Sequence, residues 1–170
     1  HRRRLQEVID VILNHMVDWE HGCGGNQYDL DFHPLPAIAI RRTFNAERDG
    51  EAVEEPVDST SYGHNIELAW LLLQAADVLG QNPDDYEDAV RSLVDHAMRY
   101  GLDREYGGVY RDGPHDGPAW VKDKEFWQNA EALVGFLDAY LLIGDPAYVE
   151  AFELTWDFVR ERMIHDALGE

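Results

Sequence analysis

A histidine and a carboxylate three residues apart, His64 and Glu67, are the residues of this chain best suited to chemistry. They stand just before the apolar run of residues 68–73, and positions i and i+3 lie on one face of a helix. An imidazole beside a carboxylate can transfer protons near neutral pH. A helix start with one buried, satisfied histidine has the same local pattern, so both interpretations stay open on these residues alone.

The same segment recurs further along the chain. Asn65 and Glu67 match Asn129 and Glu131 at an offset of 64 residues, and each copy precedes an apolar stretch that ends at a glycine. Self-similarity with a period of this size indicates an array of helical repeats.

Each repeat consists of two unlike predicted helices. The first helices, residues 65–79 and 126–143, are apolar around much of their circumference, which is typical of helices packed on both sides. The second helices, 84–100 and 147–164, have one polar face, and an opening helix spans 2–19. This pattern predicts an all-α toroid of concentric inner and outer helices, with a central cleft at the starts of the inner helices.

Two long irregular stretches, residues 26–62 and 111–122, both lead to the start of a predicted inner helix. The first contains a charged segment at 47–51. Loops this long inside a compact domain are usually functional. We therefore expect the first stretch to form a lid or a wall of the cleft.

The charge of the chain limits its partners. The chain has 34 acidic against 14 basic residues, a formal net charge of −20, and 45% hydrophobic residues. Such a field repels polyanions, so neither nucleic acid nor an anionic membrane is expected as a partner. The apolar run of 68–73 is far too short to span a bilayer. A single cysteine, Cys23, excludes an internal disulfide, and a cytoplasmic location is expected.

Two ordered motifs resemble those of the N-acylglucosamine 2-epimerase and cellobiose 2-epimerase superfamily. Residues 62–67 read YGHNIE and are similar to its GHDIE segment, while residues 124–131 read KEFWQNAE and are similar to its KxWWxQAE segment. The hairpin sequence DREYGG at 103–108 fits as well. Three positions depart from the family pattern and leave the substrate open: Asn65, Phe126 and Asn129.

The resemblance implies the (α/α)6 barrel of that family, with short β-hairpin loops between the helices. Residues 1–170 would form one partial barrel domain of about two and a half helix pairs, an internal fragment truncated at both ends. The second catalytic histidine of the family would lie beyond Glu170. The chain alone is therefore expected to be inactive and to associate through uncovered apolar flanks.

The chemistry implied by the resemblance is 2-epimerisation at the reducing end of a sugar. Removing the hydrogen at C2, next to the open-chain aldehyde, gives an enediolate, and returning a proton from the other face inverts that centre. His64 matches one of the two bases, and Glu67 would orient it. Trp127 would stack on the sugar ring, with Glu131 and Tyr62 also binding substrate. No cofactor and no metal is expected.

Purely structural roles remain open for several of these residues. Trp127 suits core packing equally well, and Asn129 with Glu131 suits a polar pair that supports the inner helix. His33 and His115 stand beside prolines and receive no role.

Three functions stay open. The first is a sugar 2-epimerase, the second a sugar aldose–ketose isomerase that moves the proton between C1 and C2, and the third a non-catalytic helical-repeat scaffold. A catalytic His64 must open onto a cleft near Trp127, whereas a scaffold histidine would be buried or lie on the outer surface. The oligomeric state is left open.

Overall fold

The computed structural model describes residues 1–36, 38–40, 52–54, 57–165 and 167. The helices within these ranges are as follows: α1 (Arg2–Val11), a π-helical turn (Ile12–Met16), α2 (Tyr62–Leu79), a 3-10 turn (Pro83–Tyr86), α3 (Glu87–Tyr100), α4 (Phe126–Ile143) and α5 (Pro146–Arg162).

The helices pack in two layers. Helices α2 and α4 pack side by side as the inner pair, α3 covers both of them, and α5 covers α4, while α1 lies against α2. The order of unlike helices predicted by the repeat is therefore confirmed. Several boundaries differ. Helix α2 begins at Tyr62, three residues before the predicted start, and the opening helix ends at Met16 because the chain then turns into a strand. Helix α3 begins three residues later than predicted, after a 3-10 turn, and α5 begins one residue earlier and ends two residues earlier.

The ends of the helices follow from local sequence. Gly80 and Gly144 end α2 and α4 in the left-handed conformation, with φ of 75° and 79°, which glycine adopts without a steric penalty. At the next helix starts, Asn82 accepts a hydrogen bond from the Asp84 backbone N–H and Asp145 accepts one from the Ala147 backbone N–H. These caps satisfy amide groups that the helices leave unpaired.

Two glycines let the inner helices approach closely. A Cβ at Gly63 of α2 would collide with the side chain of Gln128 on α4, and a Cβ at Gly135 of α4 would collide with Ile66 on α2. The close approach fixes the relative position of α2 and α4, and therefore of the residues at their starts.

Three two-stranded antiparallel sheets join the loops. Their strands are β1 (Val17–Asp18) with β2 (Cys23–Gly24), β3 (Ile38–Ile40) with β4 (Ala52–Glu54), and β5 (Ser59–Ser61) with β6 (Asp112–Pro114). The stretch 26–62 is thus not wholly irregular as predicted, because β3, β4 and β5 lie within it. The charged segment 47–51 lies outside the described residues. The β5–β6 pair connects the loops that lead into α2 and α4.

One face of α4 is apolar and exposed to solvent. The side chains on it lie within a quarter of the helix circumference, and Leu141 is 71% exposed; they are Phe126, Val134, Leu137 and Leu141. Contiguous apolar surface of this kind is usually covered by another element or another chain. None of the described helices is both long and apolar enough to cross a membrane.

Candidate active site

A cavity of about 820 Å³ opens where α2 and α4 begin. Its walls come from the end of the first helical segment, the stretch 24–27 at the end of the β1–β2 hairpin, the first turns of α2, residues 111 and 112, and residues 125, 127 and 128. The stretch 26–62 therefore contributes a wall of the cleft, through Asn26 and Gln27 at its start.

His64 and Trp127 meet in this cavity. Their ring centroids are 4.7 Å apart with an interplanar angle of 51°. The imidazole of His64 is exposed to solvent, so it is not a buried core histidine. Both residues stand in the first turns of adjacent inner helices, which is the arrangement that the repeat offset predicts.

The indole of Trp127 is held at the surface of the cavity. Its Nε1–H donates to Oε2 of Glu125 at 2.7 Å, and the residue is 37% exposed. Trp127 is therefore not a core residue, and an open indole face is suited to the apolar C–H face of a sugar ring.

Glu67 also lines the cavity and is half-buried. Among the described residues, no hydrogen bond or ion pair joins its carboxylate to the His64 ring, so the orienting contact stays a prediction. The carboxylate adds negative charge to the same cavity as the imidazole.

Two residues predicted to bind substrate do not line this cavity. Tyr62 is fully buried, with its ring packed against Gly101 and Gly113 and 5.9 Å from the His96 ring. Burial raises the pKa of its hydroxyl above the usual value. A direct contact between Tyr62 and a substrate is thus wrong, because the first turn of α2 points this side chain into the core.

Glu131 is the second of these residues. It lies one helical turn beyond Trp127, and its Oε2 accepts a hydrogen bond from the Trp70 Nε1–H at 2.8 Å. The carboxylate links α2 to α4, and a contact of Glu131 with substrate stays a prediction.

Arg111 and Gln128 are among the polar residues of the wall that the motifs did not assign to the site. The Arg111 side chain is only 11% exposed; its Nε donates to Asp112 Oδ2 at 2.6 Å, and its Nη1 is 4.0 Å from Glu125 Oε1. Gln128 donates from Nε2 to Ser61 Oγ at 3.1 Å. Arg111 begins the second long loop, and this position was the only feature of the sequence that could have indicated its place at the cavity.

The two asparagines of the repeat explain why the segment recurs. Asn65 accepts a hydrogen bond from the Gly24 backbone N–H at 2.9 Å, and Asn129 accepts one from the Val109 backbone N–H at 2.7 Å. Each asparagine is buried and ties a glycine-rich hairpin to the start of an inner helix. The two asparagines thus make matching contacts, whereas a polar pair of Asn129 with Glu131 is not among the hydrogen bonds of the described residues.

One group of side chains has the composition of a metal site. Among the residues that the structure describes, Asp18, His21 and His115 form the only cluster of three acidic, histidine or cysteine side chains whose ligand atoms lie within 4.8 Å of one another. None of the three lines the cavity.

Comparison with known proteins places this geometry in a family. The sequence model described as N-acylglucosamine 2-epimerase (GlcNAc 2-epimerase) matches residues 1–170. A cellobiose 2-epimerase of Ruminococcus albus is 33% identical over 113 residues, which cover 66% of this chain and 28% of that protein. A D-mannose isomerase of Marinomonas mediterranea is 29% identical over 152 residues, covering 89% of this chain and 34% of that protein.

A solved structure shows the same fold. The cellobiose 2-epimerase of Bacillus thermoamylovorans superposes with a TM-score of 0.78 at 23% identity, over 99% of this chain and 37% of that one. The chain thus covers about a third of the length of each of these three proteins. The match of the family model over all 170 residues decides the assignment: this chain belongs to the N-acylglucosamine 2-epimerase family.

Proposed function

We propose that this chain supplies one catalytic base and the sugar-stacking wall of a carbohydrate 2-epimerase. The observation that carries the proposal is the contact of an exposed imidazole, His64, with a half-open indole, Trp127, at 4.7 Å between ring centroids. The two groups combine a proton acceptor with an apolar flat surface. A reducing sugar needs both, because its ring must be held while a proton moves at C2.

The proposed reaction begins with the open-chain aldehyde in the cavity. His64 accepts the proton from C2, the C2–H bond breaks, and its electron pair delocalises over C2, C1 and the C1 oxygen as an enediolate. A second base returns a proton to C2 from the opposite face, the electron pair re-forms the C–H bond, and the aldehyde is restored. General-base catalysis by a positioned histidine contributes about 10²- to 10⁴-fold.

Arg111 is proposed to offset the negative charge that develops on the enediolate oxygen. Its guanidinium lies in the cavity wall with 11% of the side chain exposed, and a charge in such a shielded position stabilises an anion more than it would in water. Asp112 and Glu125 flank the guanidinium and hold it in place. Their charges also reduce the net positive field.

The second base is proposed to lie on further helices of a complete (α/α)6 barrel. This chain spans 28% of the length of the Ruminococcus albus epimerase, and the apolar face of α4 is open to receive a further inner helix. The epimerase activity is therefore assigned to the full-length barrel that contains this chain. The residues of this chain alone are expected to give no net inversion at C2.

An aldose–ketose isomerase is the second candidate, because the similarity to the D-mannose isomerase covers 89% of this chain. Both reactions pass through the same enediolate and differ only in the carbon that receives the proton. Return to C2 gives an epimer, whereas return to C1 gives a ketose.

Product analysis separates the candidates. The full-length protein is incubated with cellobiose, an N-acylglucosamine or mannose, and the products are identified by ¹³C NMR. We expect the C2 epimer of one of these sugars as the first product. A ketose formed first, at a rate equal to substrate loss, would replace the epimerase by the isomerase, and no conversion of any of the three would favour a non-catalytic protein.

A further inference from the structure

Asp18, His21 and His115 converge at a second position, and none of them lines the cavity. The Nδ1 atoms of His21 and His115 lie 2.7 Å and 2.8 Å from the same oxygen, Oδ2 of Asp18. The two imidazole rings are 6.0 Å apart between centroids, at an angle of 55°. Three ligand atoms of the kinds that transition metals prefer therefore point at one place.

The Asp18 carboxylate is held in position by the backbone of its own turn. Its other oxygen, Oδ1, accepts hydrogen bonds from the backbone N–H groups of Glu20 at 3.0 Å and His21 at 3.3 Å. One oxygen is thus occupied by the chain, and Oδ2 is left to face both imidazoles. This division fixes the carboxylate as a ligand that binds through one oxygen.

Hydrogen bonds to its backbone also hold His115 in position. Its backbone N–H donates to the Asp58 carbonyl at 2.9 Å, and its carbonyl accepts a hydrogen bond from Nε2 of His96 at 2.7 Å. His96 is buried, and because a carbonyl oxygen can only accept, its Nε2 is the donor of this hydrogen bond. Outer hydrogen bonds that orient ligands are a regular part of protein metal sites.

We propose that Asp18, His21 and His115 form a binding site for a divalent transition-metal ion of the Zn²⁺ class. Two imidazoles and one carboxylate are a ligand set that Zn²⁺ takes in proteins, at about 2.0–2.2 Å from each donor atom. Donor atoms around such an ion stand roughly 3–3.5 Å apart, as follows from those bond lengths and a tetrahedral angle. The metal would replace the protons that the imidazoles now share with Oδ2, and water would complete the coordination.

The site would have a structural consequence for the cavity. Asp18 and His21 belong to the β1–β2 hairpin, which continues to Gly24 in the cavity wall, and His115 directly follows β6, which begins at Asp112 in the same wall. A bound ion would clamp together two segments that lie 97 residues apart in sequence, at Asp18 and His115. The ion takes no part in the proposed proton transfer.

Metal titration tests this proposal. The full-length protein that contains this chain, freed of metal by dialysis against EDTA, is titrated with ZnCl₂ by calorimetry and with CoCl₂ by visible absorption. We expect one equivalent of metal to bind, with the d–d bands of a nitrogen-ligated Co²⁺. His21→Ala should weaken binding at least 10-fold; its side chain is 34% exposed, so the variant is expected to fold. His115→Ala should do the same.

The matched control is His33→Ala. His33 contacts a single carboxylate, with Nδ1 3.0 Å from Asp29 Oδ2, and is exposed, so its loss should leave metal affinity unchanged. A saturating ligand raises the midpoint of thermal unfolding, and Zn²⁺ should do this for the wild type and His33→Ala but not for His21→Ala. No binding to the wild type, or equal affinity of His21→Ala and His33→Ala, would show that the cluster is only a hydrogen-bonded network.

Discussion

Replacing His64 by alanine is expected to lower the rate of epimerisation by the full-length protein about 10²- to 10⁴-fold, the usual contribution of a general base. Sugar affinity should change little, because the imidazole is exposed and the stacking surface belongs to its neighbour Trp127. The measurements are kcat and KM for the epimerised sugar, with binding followed separately by calorimetry.

Two further variants sharpen this prediction. Trp127→Ala removes the stacking surface and should mainly raise KM, since it removes binding that is shared by the ground state and the transition state. His33→Ala, which changes an exposed histidine outside the cavity wall, should behave as wild type. A His64→Ala protein that epimerises at nearly the wild-type rate would remove His64 from the mechanism.

Replacing Lys124 by methionine is expected to destabilise the fold by about 3–5 kcal/mol, the usual effect of breaking a buried ion pair on one side. Lys124 Nζ donates to Asp103 Oδ2 at 2.7 Å and to the Gly107 carbonyl at 2.6 Å, and both charged side chains are at most 10% exposed. The variant would leave the Asp103 charge buried without its partner. Urea denaturation followed by circular dichroism measures the loss.

The chain offers a matched control, because it has only two lysines. Lys122 is exposed and lies 5.8 Å from the Tyr110 ring, so Lys122→Met should change the free energy of unfolding by less than about 0.5 kcal/mol, as most surface substitutions do. Equal stability of the two variants would show that the buried ion pair contributes nothing to the fold.

The same ion pair predicts how stability depends on pH. Burial raises the pKa of the Asp103 carboxyl, but hydrogen bonds from Lys124 and from the Tyr106 and Glu105 backbone N–H groups outweigh burial and hold the pKa at about 2. The folded pKa is below the usual value of 3.8, so this stabilisation is present above pH 4 and is lost as the pH falls towards 2. The loss is about 2 kcal/mol, and Lys124→Met should reduce it.

The helices were predictable because their signals are local. The apolar runs, the closing glycines and the capping residues Asn82 and Asp145 act within a few residues of the helix ends. The meeting of His64 with Trp127 followed from the repeat, since its offset of 64 places the two residues at the same end of adjacent inner helices, although His64 is equivalent to Gln128 and not to Trp127.

The unpredicted contacts of Tyr62 and Glu131 arose where packing between elements decides the direction of a side chain. Tyr62 stands two residues before His64, but its ring packs against Gly101 and Gly113. These glycines leave room for the ring, and the motif that contains Tyr62 does not indicate that they are its neighbours. The carboxylate of Glu131 accepts a hydrogen bond from Trp70 of the other inner helix. Neither contact has a signature in the motif that contains the residue.

Contacts between distant segments were the least predictable. Asp18 and His115 are 97 residues apart, and their contact depends on the β5–β6 pair that brings the two loops together. Arg111 is placed by the same pairing, since it directly precedes β6 and its carbonyl accepts a hydrogen bond from the Tyr62 backbone N–H. Strands of three residues are too short to produce a periodic pattern that would predict them from the sequence.

Solvent deuterium at C2 is the most direct test of proton transfer through His64. The full-length protein is incubated with its sugar in D₂O, and the epimer is analysed by ¹H NMR and mass spectrometry before the reaction reaches equilibrium. The proposed mechanism predicts one deuterium at C2 of the product, because the enediolate is reprotonated by a group that exchanges with solvent, and it predicts loss of this incorporation in His64→Ala. An epimer that keeps its original hydrogen at C2, or equal deuterium incorporation by His64→Ala, would contradict it.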